Sequence, residues 1–460
     1  MSSTDGLYGA VQRGIIKEML RLATSDKKAN ILRAIALAEK ITPESHKAEM
    51  RFVKEKVQQD HPALQIARHV VRDLSPTCRD GFINAFVVNA LLRGSDKRQE
   101  FTTATGMRTP FTVLVSPTMR CNLSCEGCYA SEYSHESDMP ADLFQRIVDE
   151  AAEMGVYLIT VLGGEPFMRR DLLDIAAANP ETYFQVFTNG TLVRPEHVER
   201  IAELGNIALM LSIEGDEPTT DERRGPGTYQ KLLRTMDLLK EHGVLFGYSS
   251  TVTRKNWRML LSDEFVDPLV AKGAAISWHF LYMPVGREPD ASLMPTPEQR
   301  NQIRLGIQRL RNTKAMFPVD FWGDAPWVGG CIAGKHYAHI NNQGWVEPCI
   351  FTHFATDNIA DTSLAQAFNS PYFEEIRRRQ PFNHDLLLPC MLIDNPEMSR
   401  EIIATTGARP THEGAESLVT ELCGALDEYS AAAKRLYDPI WAEEHDAVSN
   451  EAVAREPARV

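Results

Sequence analysis

The chain has 460 residues, 43% hydrophobic and 24% charged, the balance of an ordinary globular protein and length enough for two domains or one large α/β domain with appendages. A formal net charge of −13, from 49 Lys+Arg against 62 Asp+Glu, argues against nucleic acid as the main partner, because counterion-release binding needs a basic face. The start lacks a secretory pattern and no apolar run approaches the ~20 residues of a membrane span, so the expected compartment is the reducing cytoplasm, where cysteines are metal ligands or buried thiols more often than disulfides.

Residues 1–105 read as a helical region. Apolar positions recur at helical spacing in Val11, Ile15, Met19 and Leu20, and again in Ile31, Ile35, Ala36 and Ala38. Breaks fall at 24–26, at 41–43, where Thr42 would cap a helix begun by Pro43, and at Ser75-Pro76. The first helix carries Arg13, Lys17 and Arg21. It would pack its apolar face on its neighbours, the commoner outcome, or lie peripherally on a membrane surface.

Residues 106–315 alternate strand and helix. Strands are expected at 111–116, 156–162, 183–188, 207–213, 244–252 and 275–281, with helices at 141–152, 169–177, 195–203, 229–241, 265–271 and 298–311. The run 156–162 is almost wholly apolar, as for a strand covered on both faces. Successive βα units imply a parallel sheet, either doubly wound or curled into a full or partial barrel. Residues 316–400 are rich in Gly, Pro, aromatic residues and His, with short pieces at 337–340, 363–368 and 373–378. Residues 401–460 read as helical to about Tyr437, with a polar end expected to fray.

Three of the eight cysteines fall within Cys121-Asn-Leu-Ser-Cys125-Glu-Gly-Cys128. Thiolates bind soft metals and iron–sulfur clusters. A loop this short can fold three sulfurs around one inorganic cube while offering no fourth, which leaves one iron open. The same trio would also serve a zinc site completed elsewhere, or be buried thiols that cluster. The loop follows the first strand, at the carboxyl end where parallel sheets place their sites. Gly163-Gly164-Glu165-Pro166, Thr188-Asn189-Gly190 and Ser212-Ile213-Glu214-Gly215 land at the same end of the next three strands. Each sets polar groups beside glycines that let a ligand approach the backbone. Singly they are weak signals, and their registration strengthens them.

This ordered set resembles the radical S-adenosylmethionine (SAM) superfamily over about residues 112–286. The resemblance implies an α/β fold, a partial (β/α)6 TIM-like barrel, here with a helical N-terminal region and a small C-terminal iron–sulfur extension. It implies that Cys121, Cys125 and Cys128 hold a [4Fe–4S] cluster whose open iron is chelated by S-adenosyl-L-methionine. One electron then yields methionine and a 5′-deoxyadenosyl radical, which takes hydrogen from substrate. A low-potential donor such as a flavodoxin or ferredoxin would supply the electron. For the cofactor, Glu165 suits the amino group, and Pro166 fixes the turn that presents Gly163 and Gly164. Asn189 and Ser212 suit the ribose or carboxylate, and Glu214 the ribose hydroxyls. Arg224, beside Arg223, would pair with a carboxylate or stay solvated. Many relatives carry an aromatic residue just before the third cysteine. Here Gly127 leaves backbone contact to the adenine but no stacking, and Tyr129 is not assigned to the cofactor.

Cys331-x12-Gly344-x4-Cys349, with Cys390 beyond, resembles the opening of the SPASM extension or its shorter Twitch relative, without the dense later run of cysteines. It implies one auxiliary [4Fe–4S] cluster on Cys331, Cys349 and Cys390, with an open iron or a ligand such as His336, His339 or His353. Three buried thiols in a Gly/Pro-rich lid is the alternative. Cys78 and Cys423 lie in helical stretches and read as core, and His279 reads as interior rather than catalytic. The helical N-terminal region lacks the strand-rich peptide-recognition pattern of many peptide-modifying relatives. That favours a non-peptide substrate, a small or lipid-like molecule given the amphipathic first helix. A peptide maturase is the alternative, and a non-catalytic electron carrier or scaffold is the alternative of another class.

Overall fold

The alternation in the sequence becomes one sheet. In the computed structural model, residues 29–30, 32–33, 35–36, 47–59 and 61–446 are described. The expected first helix, the breaks at 24–26 and 41–43 and the last part of the tail lie outside them. The N-terminal region contributes α1 (Lys47–Gln58), α2 (Ala63–Arg72), α3 (Pro76–Gly81), a π-wound continuation Phe82–Arg93, and α4 (Gly94–Thr105). The break at Ser75-Pro76 is a helix start: Ser75 Oγ accepts from Cys78 N at 3.2 Å, with Pro76 as the first helical residue.

Strands β1 (Thr112–Val115), β2 (Leu158–Val161), β3 (Tyr183–Thr188), β4 (Ile207–Ser212), β5 (Phe246–Val252) and β6 (Ile276–Leu281) lie side by side in chain order, all parallel. An order without reversal removes the doubly wound alternative. The connecting helices are α5 (Ala141–Glu153), α6 (Leu172–Ala178), α7 (Pro195–Leu204), α8 (Glu217–Arg224), α9 (Thr228–Glu241), α10 (Asp263–Lys272) and α11 (Pro297–Thr313). The sequence pattern missed α8, whose eight residues are almost all polar.

The region after 316 continues the same sheet. β7 (Phe317–Asp320) pairs parallel with β6, and β8 (Tyr337–Ile340) pairs parallel with β1 at the other edge. Pro318 hides β7 in the sequence, yet an edge strand tolerates a missing N–H. β9 (Trp345–Glu347) and β11 (Asp357–Asn358) run antiparallel beyond β8, and β10 (Phe354–Ala355) pairs with β12 (Arg409–Pro410). Helices α12 (Leu364–Phe368), α13 (Pro371–Arg379), α14 (Pro396–Thr406) and α15 (Cys423–Trp441) complete the chain. No helix among the described residues is long and apolar enough to cross a membrane.

The N-terminal helices close the amino end of the strands. Ser75 N donates to Gly243 O (2.9 Å), Asn89 Nδ2 to Glu181 O (3.0 Å), Lys97 Nζ to Ala152 O (2.7 Å) and Arg98 Nη1 to Gly155 O (2.9 Å), all just before β5, β3 or β2. Phe82 and Phe86 set their rings against Tyr183, the first residue of β3. The carboxyl end, with the cysteine loop, stays open.

Candidate active site

The loop leaving β1 is pinned before it reaches Cys121. Thr118 Oγ1 and Arg120 Nε both donate to Asp138 Oδ1, at 2.6 and 3.0 Å. The turn after β2 docks against it: Gly164 N donates to Thr118 O (2.9 Å) and Glu165 N to Arg120 O (2.8 Å). A Cβ on Gly163 would lie 2.2 Å from Thr118 O, and one on Gly164 2.3 Å from Arg120 O, so only glycine permits this approach.

Glu165 joins a third strand end. Its fully buried carboxylate accepts from Phe167 N (3.0 Å) and Thr188 Oγ1 (2.6 Å) on one oxygen and from Asn189 N (2.7 Å) on the other. Burial pushes its pKa up, and these donors pull against that rise. Asn189, so fixed, directs Nδ2 to Asn122 Oδ1 (2.9 Å) and towards Cys121 Sγ (3.7 Å).

These strand ends enclose a cavity of about 150 Å³ that Cys121, Cys125 and Cys128 line together with Gly127, Gly163, Gly164, Asn189, Ser212 and Arg224. Cys121 is exposed on its loop side while its sulfur lines the cavity; burial of the thiol, then Glu165 and the neighbouring cysteines, push it up to about 11.

Three expected contacts sit behind this wall instead of on it. Glu165 faces the turns described above, and Pro166 is buried as the first residue of the short 3-10 turn that Glu165 caps. Glu214, expected at ribose hydroxyls, is buried in an ion pair. Its Oε1 accepts from Arg223 Nη1 (2.6 Å) and from Arg224 Nε (2.8 Å) and Nη2 (2.5 Å), and its Oε2 from Thr251 N (2.9 Å). Burial raises the Glu214 pKa, but the two guanidiniums more than offset it and hold the carboxyl below its ordinary value. The arginine pair is therefore not solvated; its partner is the protein's own carboxylate.

Tyr282, just after β6, carries no motif of its own. A Cβ on Gly127, whose φ is +59°, would lie 2.6 Å from Tyr282 Cε2. The absent aromatic before Cys128 was the signal that another ring fills this space. Tyr129 lines the cavity and packs edge-on to Phe351 at 5.6 Å. His279, within β6, is buried and lines neither cavity; burial pushes it down to about 4.

A second cavity, about 220 Å³, brings together Cys331, Cys349 and Cys390 from three separate segments. Burial raises all three thiols, Cys390 to about 12, and neighbouring negative groups add to it, the other cysteines among them. A bound cationic centre would relieve that repulsion. Tyr337 donates its hydroxyl to Cys349 Sγ at 3.0 Å, and Thr352 Oγ1 is buried in this wall without a partner. Asp320 also lines it, its carboxyl pushed up to about 6 by burial.

The three histidines considered as further ligands do not line this cavity. His339 lies between Ser116 Oγ (2.7 Å) and Glu347 Oε2 (2.6 Å), and His353 between Ile350 O (2.8 Å) and His412 Nε2 (2.6 Å). Cys78 is core, whereas Cys423 is half-buried at the start of α15. The two cavities meet at Phe351, which lines both.

Among the described residues, no three His, Cys, Asp or Glu side chains converge on a point that would hold a single metal ion. A zinc ion needs all its donors within ~2.0–2.3 Å, whereas cluster cysteines each bind a different iron and stand further apart.

A family profile described as the radical SAM superfamily matches residues 115–255, and one described as an iron–sulfur cluster-binding domain, SPASM, matches residues 331–391. An AdoMet-dependent heme synthase from Nitratidesulfovibrio vulgaris is 26% identical over 298 residues, covering 58% of this chain and 80% of that protein. Mycofactocin maturase MftC from Mycobacterium tuberculosis is 29% identical over 298 residues, covering 60% and 74%. The crystal structure of Streptococcus suis SuiB bound to S-adenosylmethionine shares the fold, with a TM-score of 0.54 at 18% identity over 65% of this chain and 76% of that one.

Proposed function

Because the chain belongs to the radical SAM superfamily and carries a C-terminal SPASM iron–sulfur domain, we propose that it cleaves S-adenosylmethionine reductively and takes hydrogen from a non-peptide substrate. The observation that carries this reading is the pair of three-thiol cavities that meet at Phe351. When bound, a reduced [4Fe–4S] cluster and S-adenosylmethionine supply a 5′-deoxyadenosyl radical that abstracts hydrogen from substrate.

Cys121, Cys125 and Cys128 would hold that cluster, three thiolates leaving one iron for the amino and carboxylate groups of the cofactor. A carboxylate offers about four lone-pair sites. Three on Glu165 are filled from the surrounding turns, so it acts from behind the wall by holding the Asn189 turn in place. The Asn189 amide, the Ser212 hydroxyl and the backbone of Gly163 and Gly164 line the remaining polar side. Arg224 acts through Glu214, fixing the ends of β4 and β5, and Gly127 with Tyr282 shapes the side left for the adenine. Cys331, Cys349 and Cys390 would hold an auxiliary cluster, with Thr352 and Asp320 as non-cysteine donors in the same wall. The electron comes from an external reductant such as a flavodoxin or ferredoxin.

The non-peptide part rests on the N-terminal helices. Those described lie at the amino end of the strands, away from both cavities, and contain no strand. A heme synthase among the relatives fits this reading. Peptide modification is the second reading, favoured by the likeness to MftC. Anaerobically reconstituted protein should show a [4Fe–4S] spectrum and release 5′-deoxyadenosine with dithionite; absence of either sinks the proposal. Deuterium should then reach 5′-deoxyadenosine from a deuterated extract even after protease digestion, and loss of the label on digestion would select the peptide reading.

A further inference from the structure

Trp278 and Phe280 stand two residues apart on β6 and so project to the same face. Their rings are parallel within 6°, with centroids 5.9 Å apart. Phe187, on β3, meets both edge-on at 6.0 Å. Phe280 lines the first cavity and Trp278 the second, so this aromatic wall runs from one cysteine site to the other. All three residues are only partly buried, which leaves ring surface open.

Three of the four charges lining the two cavities are held in ion pairs, and the fourth, Asp320, accepts from backbone. The four are Arg223, Arg224, Asp320 and Asp324. Glu214 holds the two arginines, Arg311 holds Asp324 at 2.8 Å, and Asp320 accepts from Trp322 N at 3.2 Å. A negatively charged substrate group placed here would lose its hydration and find only guanidiniums already held by Glu214.

Resting on the function proposed above, we infer that the part of the substrate held between the two cysteine sites is a planar ring without negative charge, stacked on the Trp278–Phe280 wall. Offset stacking rewards a flat π-face over a puckered ring of similar size.

The test uses the reconstituted full chain with S-adenosylmethionine bound, under anaerobic conditions, and three probes: p-cresol, 4-methylbenzoate and 4-methylcyclohexanol. Equilibrium dialysis should show p-cresol binding about tenfold more tightly than either of the others. Trp278→Leu and Phe280→Leu should each lose that preference, and Trp278→Phe should keep it, with cluster absorbance and thermal melting checking that each variant is folded. Equal binding of the three probes, no binding of p-cresol, or a preference that survives both leucine variants overturns the inference. Dithionite-driven release of 5′-deoxyadenosine, measured on the same preparations, separates the two levels. Release without p-cresol binding refutes the ring wall alone, and no release refutes the reading it rests on.

Discussion

The two cysteine sites are built on opposite plans. Cys121, Cys125 and Cys128 share one short loop, and the polar groups beside them are pre-set: two docked glycines, a carboxylate with three donors, an amide aimed at a thiol. Cys331, Cys349 and Cys390 come from distant segments into a cavity walled by Trp278, Phe321, Trp322 and Phe351. The difference teaches what each site must do. A site that exchanges a polar cofactor needs donors fixed at strand ends before the cofactor arrives, whereas the second set of thiols sits in an aromatic cavity that shields it from water.

Glu165→Gln should break the first plan most severely. The amide would face Asn189 N, Phe167 N and Thr188 Oγ1 with one acceptor fewer, a penalty of roughly 3 kcal/mol to these turns, and the displaced Asn189 should weaken S-adenosylmethionine binding by about tenfold. Iron content of both sites should stay unchanged. An equal loss of iron would mean that Glu165 builds the cysteine loop itself.

Asp320→Asn probes the second plan through pH. The folded-state pKa of Asp320 is about 6, above its ordinary 3.8, so the unfolded chain loses its proton first and stability falls as pH rises between those values. Above pH 6 the penalty is constant, up to roughly 3 kcal/mol. Asparagine has no such penalty. Urea unfolding should therefore favour the variant at pH 7.5 and show the advantage shrinking towards pH 4; a pH-independent difference would contradict burial as the cause.

Gly127→Ala should have the smallest effect, about 1–2 kcal/mol for a Cβ at positive φ, plus its contact with Tyr282. Adding Tyr282→Leu should recover the contact part and not the backbone part, read as two steps in the melting temperature.

How much of this was legible in the sequence follows from range. The cysteine loop and the turns at 163–166, 188–190 and 212–215 are local, and strand periodicity alone carries them to one end of the sheet. Cys331, Cys349 and Cys390 could be grouped by spacing, but which other donors face them could not, and His336, His339 and His353 all turn to other partners or positions. Glu214 was legible as a strand-end carboxylate; that Arg223 and Arg224 fold back from the end of α8 to occupy it depends on a helix the apolar pattern does not reveal. The closure of the amino end rests on the Ser75 backbone N–H and the Asn89, Lys97 and Arg98 side chains meeting carbonyl groups far along the chain, which periodicity cannot register.

The most direct measurement compares two triple variants, one with Cys121, Cys125 and Cys128 replaced by serine and one with Cys331, Cys349 and Cys390 replaced. Each should lose about half the iron of the reconstituted protein. Only the first should lose dithionite-driven release of 5′-deoxyadenosine, while the second keeps it. Release that survives in the first, or disappears alike in both, would contradict the division of labour between the two sites.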